Sequence, residues 1–303
     1  RASPSGSGRR WKCCRNPTAM TVRDLRRAAV AALIPLYGRG EAEWMTRLTL
    51  ESVTGWSRVD LLVDAGKELG EVRVEAVKNI VDRLLKHEPL QYILGYEDFM
   101  GLKIKVSPSV LIPRPETQEL VNIIIDREAK ASDLSVLDAG TGSGAIAVAL
   151  SRNLRFARVT AIDNSDAALE VARSNAERLR TPVTFVNADM LSLVSLPGEP
   201  FDIIVSNPPY VLDSERAEMS ANVLGHEPSV ALFVPDSDPL RFYLALARYA
   251  AAGGLKPDGR LYFECNPLTI GVLSSQLEAD FDEVEAIRDS FGRKRFIIAS
   301  LRS

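Results

Sequence analysis

The segment Ser206-Asn207-Pro208-Pro209-Tyr210 follows the strand-like run Phe201-Asp202-Ile203-Ile204-Val205, and its residue types suit one kind of chemistry. Two adjacent prolines stop a strand and stiffen the loop. Proline has no N–H, so the loop presents carbonyl acceptors with few competing donors. Asn207 adds a side-chain carbonyl. Two acceptors placed in this way receive both hydrogens of a planar NH2 group, while the ring of Tyr210 offers a face to a flat amide or base and to a cationic methyl donor. An amide nitrogen is a poor nucleophile, because its lone pair is delocalised into the carbonyl. Methyl transfer to it depends on holding the nitrogen in line with an activated methyl, an orientation effect worth about 7–11 kcal/mol. No strong base is needed before attack, since the product nitrogen loses its proton readily. An Asn-Pro-Pro sequence is also an ordinary turn, so its place in the fold has to decide.

A second constellation lies upstream. Val136-Leu137-Asp138-Ala139-Gly140-Thr141-Gly142-Ser143-Gly144-Ala145 reads as a buried strand running into a glycine turn and a helix. Such a turn lies at the carboxyl edge of a parallel sheet, where its backbone can approach a ligand closely. Gly140, Thr141, Gly142, Ser143 and Gly144 are expected to cradle a nucleotide-bearing cofactor. The spacing of Gly140, Gly142 and Ala145 also satisfies the dinucleotide pattern, so two cofactor classes stand. Asp163, ending the next strand, is placed for both ribose hydroxyls, with a helix-cap role as its alternative. Asp189, after the third strand, reaches toward an adenine amino group or is an exposed loop acid, and Met190 follows it. Asp138 is expected to hold the ligand's ammonium group, directly or through water.

These loops need a scaffold, and the hydrophobic periodicity supplies one. After residue 116 strands alternate with helices: Ser135–Asp138, Arg158–Asp163, Val183–Val186, Asp202–Val205, Arg260–Glu264, Glu283–Ile287 and Arg295–Ala299, with helices such as Ala145–Arg152, Ala167–Leu179 and Pro239–Ala251. The expected fold is α/β, a mostly parallel sheet with helices on both faces and a terminal antiparallel pair around Gly292. Residues 20–88 carry helical periodicity, with Leu25, Ala28, Ala29, Ala32 and Leu33 on one face and further helices over Glu41–Val53, Arg58–Ala65 and Val72–Lys86. They predict a small helical domain without chemistry of its own, a packing unit or a substrate-recognition surface. Residues 89–115 predict a hairpin and linker, with short strands at Tyr92–Leu94, Phe99 and Leu102–Val106. The run Ile112-Pro113-Arg114-Pro115-Glu116-Thr117 opens a helix and is either a rigid connector or a wall of the site.

Composition narrows the functional classes. The chain of 303 residues is 46% hydrophobic and 25% charged, enough for one large domain and a smaller one. A formal charge of −3 and a pI near 5.7 argue against direct nucleic-acid binding through phosphates. No apolar run is long enough for a membrane helix. Three cysteines, Cys13, Cys14 and Cys265, form no disulfide framework, which points to a reducing cytoplasm. With only His87 and His226 and no ligand-spaced cluster, no metal is expected. Residues 1–19, rich in Arg, Ser, Gly and Pro, are expected to be an extension outside the fold, with Met20 as the true start.

Together these pieces resemble the release-factor glutamine methyltransferases (the HemK/PrmC family) over essentially all of residues 20–303. The matching stretches are HEPLQYILGYEDF (87–99), SPSVLIPRPET (107–117), LDAGTGSGAIAVAL (137–150), SNPPY (206–210) and HEPSVALF (226–233). The resemblance implies a Rossmann-like class I methyltransferase domain over residues 116–303, with S-adenosyl-L-methionine as cofactor and class I peptide chain release factors as protein substrates. It implies that Gly140, Gly142, Gly144, Asp163 and Asn207 bind the methyl donor. Asn207, Pro208, Pro209 and Tyr210 would hold the acceptor glutamine, with Phe99 and Arg114 close by. Glu227 and Pro228 belong to a shared loop with no derivable role. The NPPY tetrapeptide also occurs in enzymes that methylate adenine, and a ribosomal-protein glutamine remains a further acceptor. A dinucleotide oxidoreductase would leave Asn207–Tyr210 unexplained.

Overall fold

The computed structural model describes residues 20–198 and 200–301, so the expectations for residues 1–19, Cys13 and Cys14 among them, lie outside it. The chain forms two compact units that divide between Leu94 and Gly95.

In the first unit, helix α1 (Val22–Thr54) starts where the Thr21 side chain accepts from the Asp24 N–H. Gly38, at φ 73° and ψ 170°, bends it. Leu25, Ala29 and Leu33 are fully buried. Helix α2 (Arg58–Val63) opens with a reciprocal Ser57–Asp60 cap. Helix α3 (Glu71–Leu84) buries Val74, Val77, Val81 and Leu84, the stripe that its periodicity predicts. Two-residue strands β1 (Met20–Thr21) and β2 (Glu68–Leu69) pair antiparallel, too short to leave a pattern in the sequence. Tyr92–Leu94, expected as a strand, lies instead in helix α4 (Leu90–Leu94), whose Tyr92 and Ile93 N–H groups donate to the Pro89 carbonyl. In so short an apolar run periodicity does not separate helix from strand.

The second unit begins with the hairpin β3 (Tyr96–Phe99) and β4 (Leu102–Lys105), followed by helix α5 (Pro115–Arg127) with its proline in the first turn. Seven strands then form one sheet: β5 (Ser135–Ala139), β6 (Arg158–Asp163), β7 (Thr184–Asn187), β8 (Phe201–Ser206), β11 (Leu255–Glu264), β12 (Glu283–Arg288) and β13 (Lys294–Ser300). A separate short parallel pair, β9 (Val211–Leu212) and β10 (Phe233–Val234), follows β8. The order β12-β13-β11-β8-β5-β6-β7 is parallel except for β13, which is antiparallel to both neighbours. Strand β11 starts at Leu255, earlier than expected, across an irregular stretch of pairing before Arg260.

Every residue of β5 is buried, because helices cover both faces. Helix α6 (Ala145–Asn153) and α5 pack on one face, while α9 (Arg241–Tyr249) and α10 (Ile270–Leu277) pack on the other. The chain builds outward from β5 through β6 to β7, then returns to place β8 on the other side of β5. That reversal opens a crevice at the carboxyl edge between β5 and β8.

One buried side chain ties the hairpin to this crevice. Asn175, on helix α7 (Asp166–Arg178), accepts from the Lys105 N–H at 2.7 Å and donates to the Lys105 and Ser143 carbonyls at 2.9 Å each. It thereby joins β4 to the glycine turn. Asn175→Ala strips partners from all of these backbone groups, so thermal or urea unfolding should show a loss of about 2–4 kcal/mol. A loss under about 1 kcal/mol would mean that packing and the remaining bonds, such as Met100 N–H to Gln118 Oε1, hold the hairpin without Asn175.

Candidate active site

The crevice is a solvent-open cleft at the sheet edge where ligands of such folds bind. Its walls come from the loops after β5, β6, β7 and β8, from Ser109–Leu111, Pro113 and Thr117, and from Pro228, Val230, Ala231 and Phe242. Of the residues singled out by sequence, Gly140, Thr141, Gly142, Ser143, Asp163, Asp189, Met190, Asn207 and Pro209 line it together.

The glycine turn adopts φ values of 76°, 53° and 80° at Gly140, Gly142 and Gly144, a left-handed backbone that side chains disfavour. Carboxylates hold it in place. Asp138 Oδ2 accepts from the Thr141 hydroxyl at 2.6 Å and from the Ala147 N–H at 3.0 Å. Asp163 Oδ2 accepts from the Gly142 N–H at 2.9 Å, and its Oδ1 accepts from the Ser165 N–H. Asp163 thus shapes the turn and lines the cleft at once, and each oxygen keeps a lone pair for a ligand hydroxyl. Asp189 is exposed and caps a short turn through the Leu191 N–H while lining the cleft. Met190 packs so closely that a Cβ on Gly140 would lie 2.8 Å from its Cε.

Several expected contacts are different. Asp138 is fully buried beneath the turn and does not line the cleft; its Oδ1 has no hydrogen-bond partner. Burial, reinforced by the charge of Asp163 and opposed by the Thr141 and Ala147 bonds, pushes its pKa to about 7. Gly144, at the start of α6, faces Ala172 of the helix Asp166–Arg178 rather than the cleft. Pro208 is buried and, like Tyr210, lies outside the cleft lining. Phe99 is fully buried in the core with Ile104, since strand alternation turns it inward. Arg114 is engaged by the buried carboxylate of Glu227, which also accepts from the Ile112 N–H at 3.2 Å. This gives Glu227 the role that its sequence did not reveal: it clamps the Pro-rich segment against the loop carrying Pro228.

The Asn207–Tyr210 loop is set by Thr117, which closes the Pro-rich run, and by Glu264, which no motif pointed to. Glu264, at the end of β11, is fully buried. It accepts from the Thr117 hydroxyl at 2.7 Å and from the Tyr210 hydroxyl at 2.9 Å. The Thr117 oxygen in turn accepts from Asn207 Nδ2 at 3.0 Å. Asn207 Oδ1 is sheltered from solvent and accepts no hydrogen bond from the described residues. Burial raises the pKa of Glu264 against its hydroxyl partners and the nearby Arg295 charge. Burial and the Glu264 charge raise that of Tyr210 well above the ordinary phenol range, so Tyr210 remains a neutral donor. The Arg295 guanidinium lies 5.8 Å from the Tyr210 ring centre. The only signal for Glu264 in the sequence was an acid closing an apolar strand.

The Methyltransferase domain family matches residues 136–225, and the PrmC N-terminal domain family matches residues 24–95. The chain is 43% identical over 270 residues to the release factor glutamine methyltransferase of Bacteroides thetaiotaomicron, covering 89% of this chain and 96% of that one. It is 39% identical over 287 residues to the enzyme of the same name from Flavobacterium psychrophilum, covering 93% and 100%. Among solved structures, the hMettl16 catalytic domain aligns with a TM-score of 0.52 at 16% identity, covering 78% of this chain and 86% of that one, a likeness of fold.

The Asp138 carboxyl has a testable pH signature. Its folded pKa of about 7 lies above the usual 3.8, so the folded state holds a proton that the unfolded state releases. Stability is then lost as pH rises from about 4 to about 7 and levels off above. Asp138→Asn removes that slope. The stability of the variant relative to wild type should rise by about 2–3 kcal/mol between pH 5 and pH 8, as an upper figure, measured by denaturant unfolding across that range. A flat difference would show that Asp138 is ionised throughout. At the cleft wall, Asp163→Ala should weaken cofactor binding at least tenfold, since each charge-assisted hydrogen bond contributes about 1.5–3 kcal/mol. Calorimetry on the folded variant checks this, and an unchanged dissociation constant would confine Asp163 to holding the turn.

Proposed function

The chain belongs to the release factor glutamine methyltransferase family, and from that membership and the geometry of Asn207 we propose that its acceptor is the glutamine of the GGQ motif in class I peptide chain release factors. It is an S-adenosylmethionine-dependent protein-(glutamine-N5) methyltransferase. Family membership sets aside the dinucleotide oxidoreductase, and favours neither adenine nor a ribosomal protein as acceptor.

The observation that carries the acceptor assignment is the unpartnered, solvent-sheltered Oδ1 of Asn207 beside the cleft. A buried acceptor without a donor is unfavourable by about 1–3 kcal/mol, and a substrate N–H removes that penalty. A side-chain amide brings such a donor, and Oδ1 can accept one of its N–H groups. Pro209, which has no N–H, adds no competing donor to this wall.

The glycine turn fits the cofactor: its left-handed backbone leaves no Cβ at Gly140, where one would collide with Met190, and the spare lone pairs of Asp163 suit ribose hydroxyls. Bound there, S-adenosylmethionine supplies an electrophilic methyl on a sulfonium. The work of this chain is to orient. Asn207 Oδ1 restrains one amide hydrogen, which helps fix the plane of the acceptor and directs its nitrogen lone pair. Tyr210, neutral and anchored to Glu264, keeps the loop rigid behind it. No side chain is needed as a base before attack, because the methylated nitrogen sheds its proton readily.

The helical unit of residues 20–94, which carries no such site, is assigned to recognising the body of the release factor. No described helix is long and apolar enough to cross a membrane. A protein substrate that acts in translation supports a cytoplasmic location.

Incubation with methyl-labelled cofactor and a purified class I release factor, followed by peptide mapping, should place one methyl group on the glutamine of GGQ. Label elsewhere, or none, rejects the assignment. Asn207→Ala should lower single-turnover methylation by about 100-fold, comparable to losing one preorganised transition-state hydrogen bond, while cofactor affinity falls only modestly. Asn207→Asp should slow transfer as well while holding or raising cofactor affinity, because a negative charge favours the sulfonium ground state. Near-normal rates in both variants would remove Asn207 from the mechanism.

A further inference from the structure

We propose that Thr117 and Glu264 are positioning residues that decide which end of the Asn207 amide is left for the substrate, and that this orientation selects glutamine over glutamate. The inference rests on the glutamine reading above and adds the device that enforces it.

The oxygen and nitrogen ends of an asparagine amide are nearly the same size, so shape alone does not fix which one points where. Neighbours fix it by donating or accepting. An ionised carboxylate only accepts, and the two oxygens of Glu264 each take one hydroxyl, from Thr117 and from Tyr210. Thr117 has a single hydroxyl hydrogen, which is committed to Glu264. Toward Asn207 it therefore offers only a lone pair. Nδ2 is the end that can meet it, as found at 3.0 Å, and Oδ1 is left over without a partner. Burial raises the proton affinity of Glu264, opposed by the two hydroxyls and by the charge of Arg295, and it is the geometry of two hydroxyls, one on each oxygen, that fixes it as the acceptor.

The consequence is chemical selection. Glutamine and glutamate differ at the reacting end by NH2 against O⁻, with almost no change in shape. Against Oδ1, glutamine presents an N–H donor and glutamate presents a charged acceptor, which leaves two acceptors opposed in a solvent-sheltered place. Were the Asn207 amide reversed, its NH2 would meet the substrate, and the preference would shift toward the carboxylate. Sites built around a specific hydrogen bond reject the analogue that lacks it far more strongly than sites that sort by size.

The test uses the full-length enzyme with a class I release factor carrying either glutamine or glutamate at the methylated position. Two quantities are read: the ratio of the glutamate-form to the glutamine-form dissociation constant, and kcat and KM on the glutamine form. Thr117→Val keeps the side-chain shape and removes the relay. It should lower the discrimination ratio at least fivefold and kcat at least tenfold, with cofactor affinity within twofold of wild type. Thr117→Ser keeps the hydroxyl and should restore both readouts. In Glu264→Gln the new NH2 can face either hydroxyl, and only one arrangement reverses Asn207, so its ratio should fall between wild type and Thr117→Val. A purely structural role for Thr117 would lower stability or kcat without moving the ratio. A wild type that discriminates, with a folded Thr117→Val that discriminates equally well, overturns the relay alone. A wild type that binds both forms equally overturns the glutamine reading and the relay with it.

Discussion

A carboxylate with no exposed surface sits where three distant parts of the chain meet. Glu264 ends β11, Thr117 lies in the first turn of α5, and Tyr210 closes the loop after β8; both hydroxyls donate to the one side chain. Removing an ionised group from water is unfavourable by several kcal/mol unless its lone pairs are met, so these segments are held to one geometry. The same satisfaction sets the polarity of what comes next. A threonine committed as a donor on one side is an acceptor on the other, and Asn207 is oriented by that remainder.

The two walls of the cleft are built on different principles. On the cofactor side, acids grip the backbone: Asp138 and Asp163 take the N–H and hydroxyl groups of the glycine turn and stabilise a conformation that only glycine adopts readily. On the acceptor side, side chains grip one another. The walls meet at the reversal between β5 and β8, neighbouring strands whose outgoing connections run in opposite directions, β5 to β6 and β8 to β11. Glu227 then clamps the Pro-rich segment to the loop bearing Pro228, so that a long excursion after β8 becomes a fixed part of the site.

Much of this was legible in the sequence. The strands could be read almost residue by residue, because a buried parallel strand is an apolar run bounded by turns, and the α3 stripe of Val74, Val77, Val81 and Leu84 followed from helical spacing. The short elements were not legible. The β1–β2 pair is two residues on each side, and α4 is too brief for its period to differ from that of a strand. The residues of the glycine turn could be placed at the cleft because such a turn leaves a local signature. Asp138 lies beneath the turn and not in the cleft; sequence shows that an acid precedes the turn, but not whether its side chain points up into the cleft or down beneath it.

What the amino-acid order determined by itself was local: the alternation of strand and helix, the left-handed glycine turn, and the stiff Asn-Pro-Pro-Tyr loop with its surplus of acceptors. These depend on backbone preferences and on neighbours a few residues away. What only the tertiary structure decided was which acceptor stays free and which way it is presented. Thr117 is 90 residues from Asn207, and Glu264 is 147 from Thr117. A hydrogen bond over such a separation has no periodicity and no motif. It exists because β8 and β11 are neighbours in one sheet and the start of α5 lies against their ends, and only there does one buried carboxylate set the direction of the hydrogen bonds that reach the cleft.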